Sequence, residues 1–265
     1  MTAWVRLLKK EMRLGMAALL GPIIAFFIAL AIAAYFGSRY NVVWESFLGV
    51  ALVLSGLLVF YLIYYMLNSL HMERKKLHLW LHSTMPGYGL LLAKLTAGLL
   101  SMLLTLLITG STLLIAVNRS ESISEQLQMI DITNLGLLAG THLLLLAISF
   151  GVYAIFYWMI YLLFTSYLGS FLSFLATLAI FIGTSFAYSW FKMTELYDVL
   201  TNWGEVHLTG ITESINISTN LETGTEVKTD VGNISFYFGA YVFEAFVVVA
   251  LFAAASWMLD RKVEV

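Results

Sequence analysis

The sequence predicts an all-α polytopic membrane protein. Six transmembrane helices are joined by an N-terminal interfacial helix, a cytoplasmic helix between the second and third spans, and a small, partly β extracellular segment between the fifth and sixth. Three observations predict this. Hydrophobic residues make up 60% of the 265 residues and charged residues only 11%, where a soluble globular chain carries about 25% charged. The apolar residues gather into runs long enough to cross a hydrocarbon core of about 30 Å at about 1.5 Å per residue. The basic residues are divided unequally between alternate connections.

Composition also excludes function classes. The net charge is -2, which gives no basic footprint for nucleic acid. With no cysteine, disulfides, thiolate nucleophiles and thiolate metal sites are ruled out. Only two prolines, Pro22 and Pro86, interrupt the chain, and 19 glycines are spread through it. Long helices with small residues at close approaches follow from that pattern.

Residues 1–15 form a basic amphipathic segment. Trp4, Leu7, Leu8 and Met12 recur at helical spacing, and Arg6, Lys9, Lys10 and Arg13 fill the other face. Such a helix lies in the headgroup plane; the plainer reading is a charged flank before a span. Spans one to five occupy 16–191. The first runs from Met16 to Phe36, with a kink expected at Pro22. Its length, and the spans that follow, argue against a cleaved signal at Ala31–Ala33. The second runs from Val42 to Leu67 and the third from Leu90 to Val117, followed by an acidic loop.

Apolar residues then continue almost unbroken from Leu135 to Phe191, 57 residues, enough for two crossings. The polar cluster beginning at Thr165-Ser166 places the turn around Leu163 to Ser166. Residues 192–235 are polar. Period-2 stretches at 214–218 and 226–228 predict strands, and Leu196, Leu200 and Trp203 an amphipathic entry helix. The sixth span and a cytoplasmic tail fill 236–265.

Basic residues set orientation. With the N-terminus cytoplasmic, Arg6, Lys9, Lys10, Arg13, Arg74, Lys75, Lys76, Lys94, Arg261 and Lys262 lie inside, ten of the 14, against Arg39, Arg119, Lys192 and Lys228 outside. Both termini are therefore expected in the cytoplasm and the chain in the plasma membrane.

The connection at 69–86 carries the most chemistry. Glu73, Arg74, Lys75 and Lys76 form a charge cluster. Leu77, Trp80, Leu81 and Thr84 then share one helical face, and Pro86 ends the helix. Such a helix can seat in a groove of a partner protein or rest on lipid. His78 and His82 stand at i, i+4 spacing, but no acid completes a metalloprotease motif, so interfacial polar residues explain them better. Within the spans, Glu244 and His142 are the candidate lining of a translocation path, because an ionisable group in the bilayer normally faces a bundle or cavity; a paired structural glutamate is the plainer alternative. Glu45 and Lys94 lie near span ends, where they can snorkel. The chain holds no phosphate-binding glycine loop, HExxH or GxSxG, and no enzyme activity is expected.

This layout resembles the permease subunits of type-2 ABC exporters of the Gram-positive bacterial type. The residues that carry the resemblance are the start Trp4-Val5-Arg6-Leu7-Leu8-Lys9-Lys10-Glu11-Met12-Arg13, the run Glu73-Arg74-Lys75-Lys76 followed by Leu79-Trp80-Leu81-His82-Ser83 and Pro86, and Lys94 opening the third span. The resemblance implies that 69–86 is a coupling helix, with Glu73, Arg74, Lys75, Lys76, Leu77, Trp80 and Leu81 docking on a separate ATPase subunit present in two copies. It implies a second permease chain, identical or homologous, and ATP and Mg held by the ATPases, with no cofactor on this chain. It also implies an amphipathic or hydrophobic cargo (peptide, lipid or drug) and a role in antimicrobial peptide resistance. The family commonly places short re-entrant helices between spans five and six, and the long polar stretch here departs from that. The competing readings are an ion- or proton-coupled transporter using Glu244, and a non-transporting sensor or immunity protein built on 192–235.

Overall fold

The computed structural model describes residues 3–74, 86–120, 132–208, 214–220, 224–230 and 234–261. In chain order these form α1 (Ala3–Leu14), α2 (Met16–Tyr40), α3 (Val43–Leu57), a single 3-10 turn (Leu58–Phe60), α4 (Tyr61–Arg74), α5 (Gly87–Arg119), α6 (Ile132–Phe191), α7 (Glu195–Thr201), β1 (Glu205–Leu208), β2 (Ser214–Asn220), β3 (Gly224–Asp230), β4 (Ile234–Tyr237) and α8 (Phe238–Arg261). Five helices among the described residues are long and apolar enough to cross a membrane: Met16–Tyr40, Val43–Met72, Gly87–Arg119, Asn134–Phe191 and Phe238–Arg261. The second of them joins α3 and α4 through the 3-10 turn.

The fourth of these is 58 residues long, about 87 Å at about 1.5 Å per residue, far beyond one bilayer. It breaks at Gly169, whose φ of 73° and ψ of 165° are non-helical. A side chain there would be strained, which glycine avoids. The two limbs run antiparallel. Tyr157 on the first shares a 2.6 Å hydrogen bond with Thr184 on the second, and its ring meets Phe181 edge-on at 5.2 Å. The expected turn at Leu163–Ser166 is thus corrected to Gly169. The hydroxyls that marked the expected turn are absorbed by the helix: Thr165 donates to the Tyr161 carbonyl and Ser166 to that of Leu163. Hydroxyls that bond back to their own helix do not end it.

The core lies where α4, α5, the first limb of α6 and α8 meet. Leu62, Tyr65 and Met66 pack with Leu91 and Met102, Val152, Ile155 and Met159, and Leu259. Lipid supplies no hydrophobic drive between helices, so close packing holds them. A Cβ at Gly98 would stand 2.9 Å from both Leu62 Cδ2 and Tyr65 Cδ1, so a larger residue there would have to displace side chains of α4.

Beyond α6, Thr194 caps α7 by accepting from the Tyr197 N–H at 3.4 Å. Glu195 and Asp198 in its first turn suit the positive end of the helix dipole. The expected entry helix is present, but Leu196 and Leu200 are exposed. Its packed side is Tyr197, which joins Phe191 and Phe243 in an aromatic cluster with centroids 5.6–6.0 Å apart. Strand β1 pairs antiparallel with β4, and β2 with β3.

Candidate functional site

Among the described residues, two ionisable sites lie inside the bundle. The first ties α1 to α4 and α5. The Lys94 ammonium donates to Glu11 Oε2 at 2.7 Å and to Ser69 Oγ at 2.8 Å. Ser69 also donates to Glu11 Oε2 at 3.4 Å, and the Tyr65 hydroxyl to the Glu11 carbonyl at 3.3 Å. Both charges are buried, at 0% and 1% exposure. This corrects two expectations. Lys94 does not snorkel; a cation this deep is held by its counter-charge. The inward stripe of α1 runs through Leu7, Leu8 and Glu11, while Met12 is exposed. Glu45, the other residue expected to snorkel, accepts from Ser120 Oγ at 2.6 Å.

The second site is a cavity of about 1830 Å³ between α4, both limbs of α6, α7, β4 and α8. Glu244, on α8, forms its polar centre. Tyr153, from the first limb of α6, donates to Oε1 at 3.0 Å, and Tyr188, from the second limb, to Oε2 at 2.8 Å. The Gly169 hairpin is what brings these two phenols, 35 residues apart in sequence, to one carboxyl group. His142 lines the same cavity and pairs with the Tyr241 hydroxyl through Nδ1 at 3.2 Å. At the α7 end, the Lys192 ammonium lies 4.6 Å from the Tyr188 ring centroid and 5.9 Å from that of Tyr197. The remaining wall is mostly apolar and rich in aromatic rings, with Phe150, Trp158 and Phe181 among its members.

Glu244 and His142 therefore line one cavity but have separate partners. Tyr153, Tyr188 and Lys192 were not singled out in the sequence; a tyrosine in an apolar run looks like packing. Of the 69–86 set, Glu73 and Arg74 end α4, while Lys75, Lys76, Leu77, Trp80 and Leu81, with His78 and His82, lie outside the described residues. His71, in α4, also reaches the cavity wall.

Comparison with protein-family models, with curated proteins and with solved structures gives no match. Fold and site together define a class: a multi-pass helical membrane protein with an aromatic cavity centred on one carboxyl group.

Proposed function

We propose that the chain is the permease subunit of an ATP-driven exporter in the plasma membrane, with six crossings and both termini cytoplasmic, energised by a separate ATPase. The Gly169 break supports the count of six, since each limb of α6 is long enough to cross once. One observation carries the functional reading. The Glu11–Lys94–Ser69 cluster links α1 to the two helices that flank the charged and aromatic segment 75–85. A push on that segment by an ATPase would reach α1, α4 and α5 together. The aromatic cavity suits an amphipathic or hydrophobic cargo. The 192–235 segment stands on the extracellular side in this arrangement.

Photocrosslinkers at Trp80 and Lys76, in cells that naturally make the chain, test the reading by whether they capture an ABC-type ATPase. Crosslinks to that ATPase, and ATP-dependent efflux from vesicles holding both, are expected. Crosslinks to lipid alone would overturn it. Glu244, accepting from two phenols at a cavity wall, favours one rival: a proton-coupled transporter. Transport that persists without ATP and vanishes in Glu244→Gln would select the rival.

A further inference from the structure

We infer that the Glu244 cavity binds a lipophilic cation: an amphiphile carrying one ammonium or phosphonium charge among aromatic or alkyl groups. This deepens the exporter reading and rests on it, naming the cargo class.

Three features converge. Glu244 is the only acid lining the cavity among the described residues. Its partners there are two phenols, with no cation of the described residues in ion-pair range. A carboxylate has about four acceptor positions, so two donated hydrogen bonds leave capacity for a ligand. Tyrosines that donate without neutralising can hold the group in place and keep its charge available.

The aromatic walls supply the second attraction. Ring faces carry negative potential and draw cations within about 6 Å of their centroids. The protein displays this itself: the Lys192 ammonium rests over Tyr188 and within the same range of Tyr197. An ammonium is thus accepted at the rim of the cavity, on the ring whose hydroxyl holds Glu244.

Size is the third feature. The cavity, at about 1830 Å³, exceeds the roughly 300–1,000 Å³ of ordinary small-ligand pockets. It has room for a bulky apolar body around one charge. An anionic amphiphile would meet the Glu244 carboxyl group, and an uncharged one would cover that group without compensating it. The groups lining the cavity that can carry positive charge are His71, His142 and Lys192. His142 is engaged with Tyr241 and Lys192 with the two rings.

The test is equilibrium binding to the purified full chain in dodecyl maltoside, which offers no ammonium headgroup. The probes are tetraphenylphosphonium and tetraphenylsilane, which share four phenyl rings around one central atom and differ in charge. Wild type should bind the cation at least tenfold tighter than the neutral probe. Glu244→Gln should erase the preference and Glu244→Asp should retain most of it. Equal binding of both probes by wild type overturns the proposal without any variant, as does an undiminished preference in Glu244→Gln. Competition by phosphatidylethanolamine at stoichiometric levels would overturn the free amphiphile in favour of a lipid headgroup. ATPase stimulation in the assembled complex is scored separately. Cation binding without stimulation sinks the exporter reading and leaves the site; stimulation without charge preference does the reverse.

Discussion

Glu11 and Glu244 are both carboxyl groups inside a bundle of apolar helices, and their surroundings differ in kind. Glu11 is 1% exposed and faces a fully buried lysine. Glu244 is half-buried at a cavity wall and faces two neutral phenols. A buried charge met by its opposite makes a joint, since removing either side leaves an uncompensated charge. A carboxyl group met only by neutral donors in a cavity is oriented without being cancelled. The first arrangement connects helices, and the second can receive a ligand. The two sites also use different elements: α1, α4 and α5 for the joint, α6 and α8 for the cavity group.

The largest expected effect tests the joint. Lys94→Met takes from Glu11 its buried cation at 2.7 Å, with the exposed Lys10 still 3.9 Å away, and should destabilise the chain by about 3–5 kcal/mol, whereas Glu11→Met with Lys94→Met should recover most of the loss. Denaturant midpoints of the purified chain in detergent read both. A double variant no more stable than the single would break the comparison, because the cluster's worth would then lie outside the charge pair.

Next is the hairpin. Gly169→Ala places a side chain at φ 73° and ψ 165°, a backbone region almost reserved to glycine, which costs about 1–3 kcal/mol. The loss should appear at the cavity as well as in global stability, since the hairpin sets Tyr153 against Tyr188. A doubled cysteine probe, Tyr153→Cys with Tyr188→Cys, should crosslink less efficiently in the Gly169→Ala background. Unchanged crosslinking would show that α8 alone aligns the limbs.

A smaller effect separates orientation from charge pairing. Tyr188→Phe removes one neutral donor from the half-buried Glu244 carboxylate and should cost about 1.5 kcal/mol, the low end for a bond to a charged group, less than Lys94→Met. If the two losses measured equal, the Glu244 site would be as structural as the Glu11 site.

Hydropathy made the spans legible in the sequence, because the bilayer imposes a length that composition alone reveals. Glu244 was legible too, as an acid inside an apolar run. The joint was not. Lys94 looked like a snorkelling lysine near a span end, and Glu11 like one more polar residue on a basic helix. Its partner stands 83 residues away, and no local period encodes that distance. One signal was present: Glu11 is the single acid in the 12 residues of α1 and continues the Leu7–Leu8 stripe. The turn at Gly169 was missed for a different reason. Polarity pointed to Thr165 and Ser166, but hydroxyls can be satisfied within a helix, and it is the positive φ that decides.

The smallest expected effect lies at the rim, where Tyr197 of α7 closes the cavity next to Lys192. Burial raises the Tyr197 phenol above its ordinary 10.0, and the carboxyl groups of Glu244 and Asp198 add to the rise. A raised value means that the folded chain holds this proton more tightly than the unfolded chain does. The stability it contributes is therefore complete below pH 10.0, the ordinary value, and is lost as pH rises through the folded-state value. Tyr197→Phe removes that proton while keeping the ring edge-on to Phe191 and Phe243. The variant should match wild type at neutral pH and lose stability less steeply above pH 10.0, read by thermal unfolding across an alkaline series. Parallel alkaline branches would mean that neither burial nor the two carboxyl groups hold the Tyr197 proton in the folded chain.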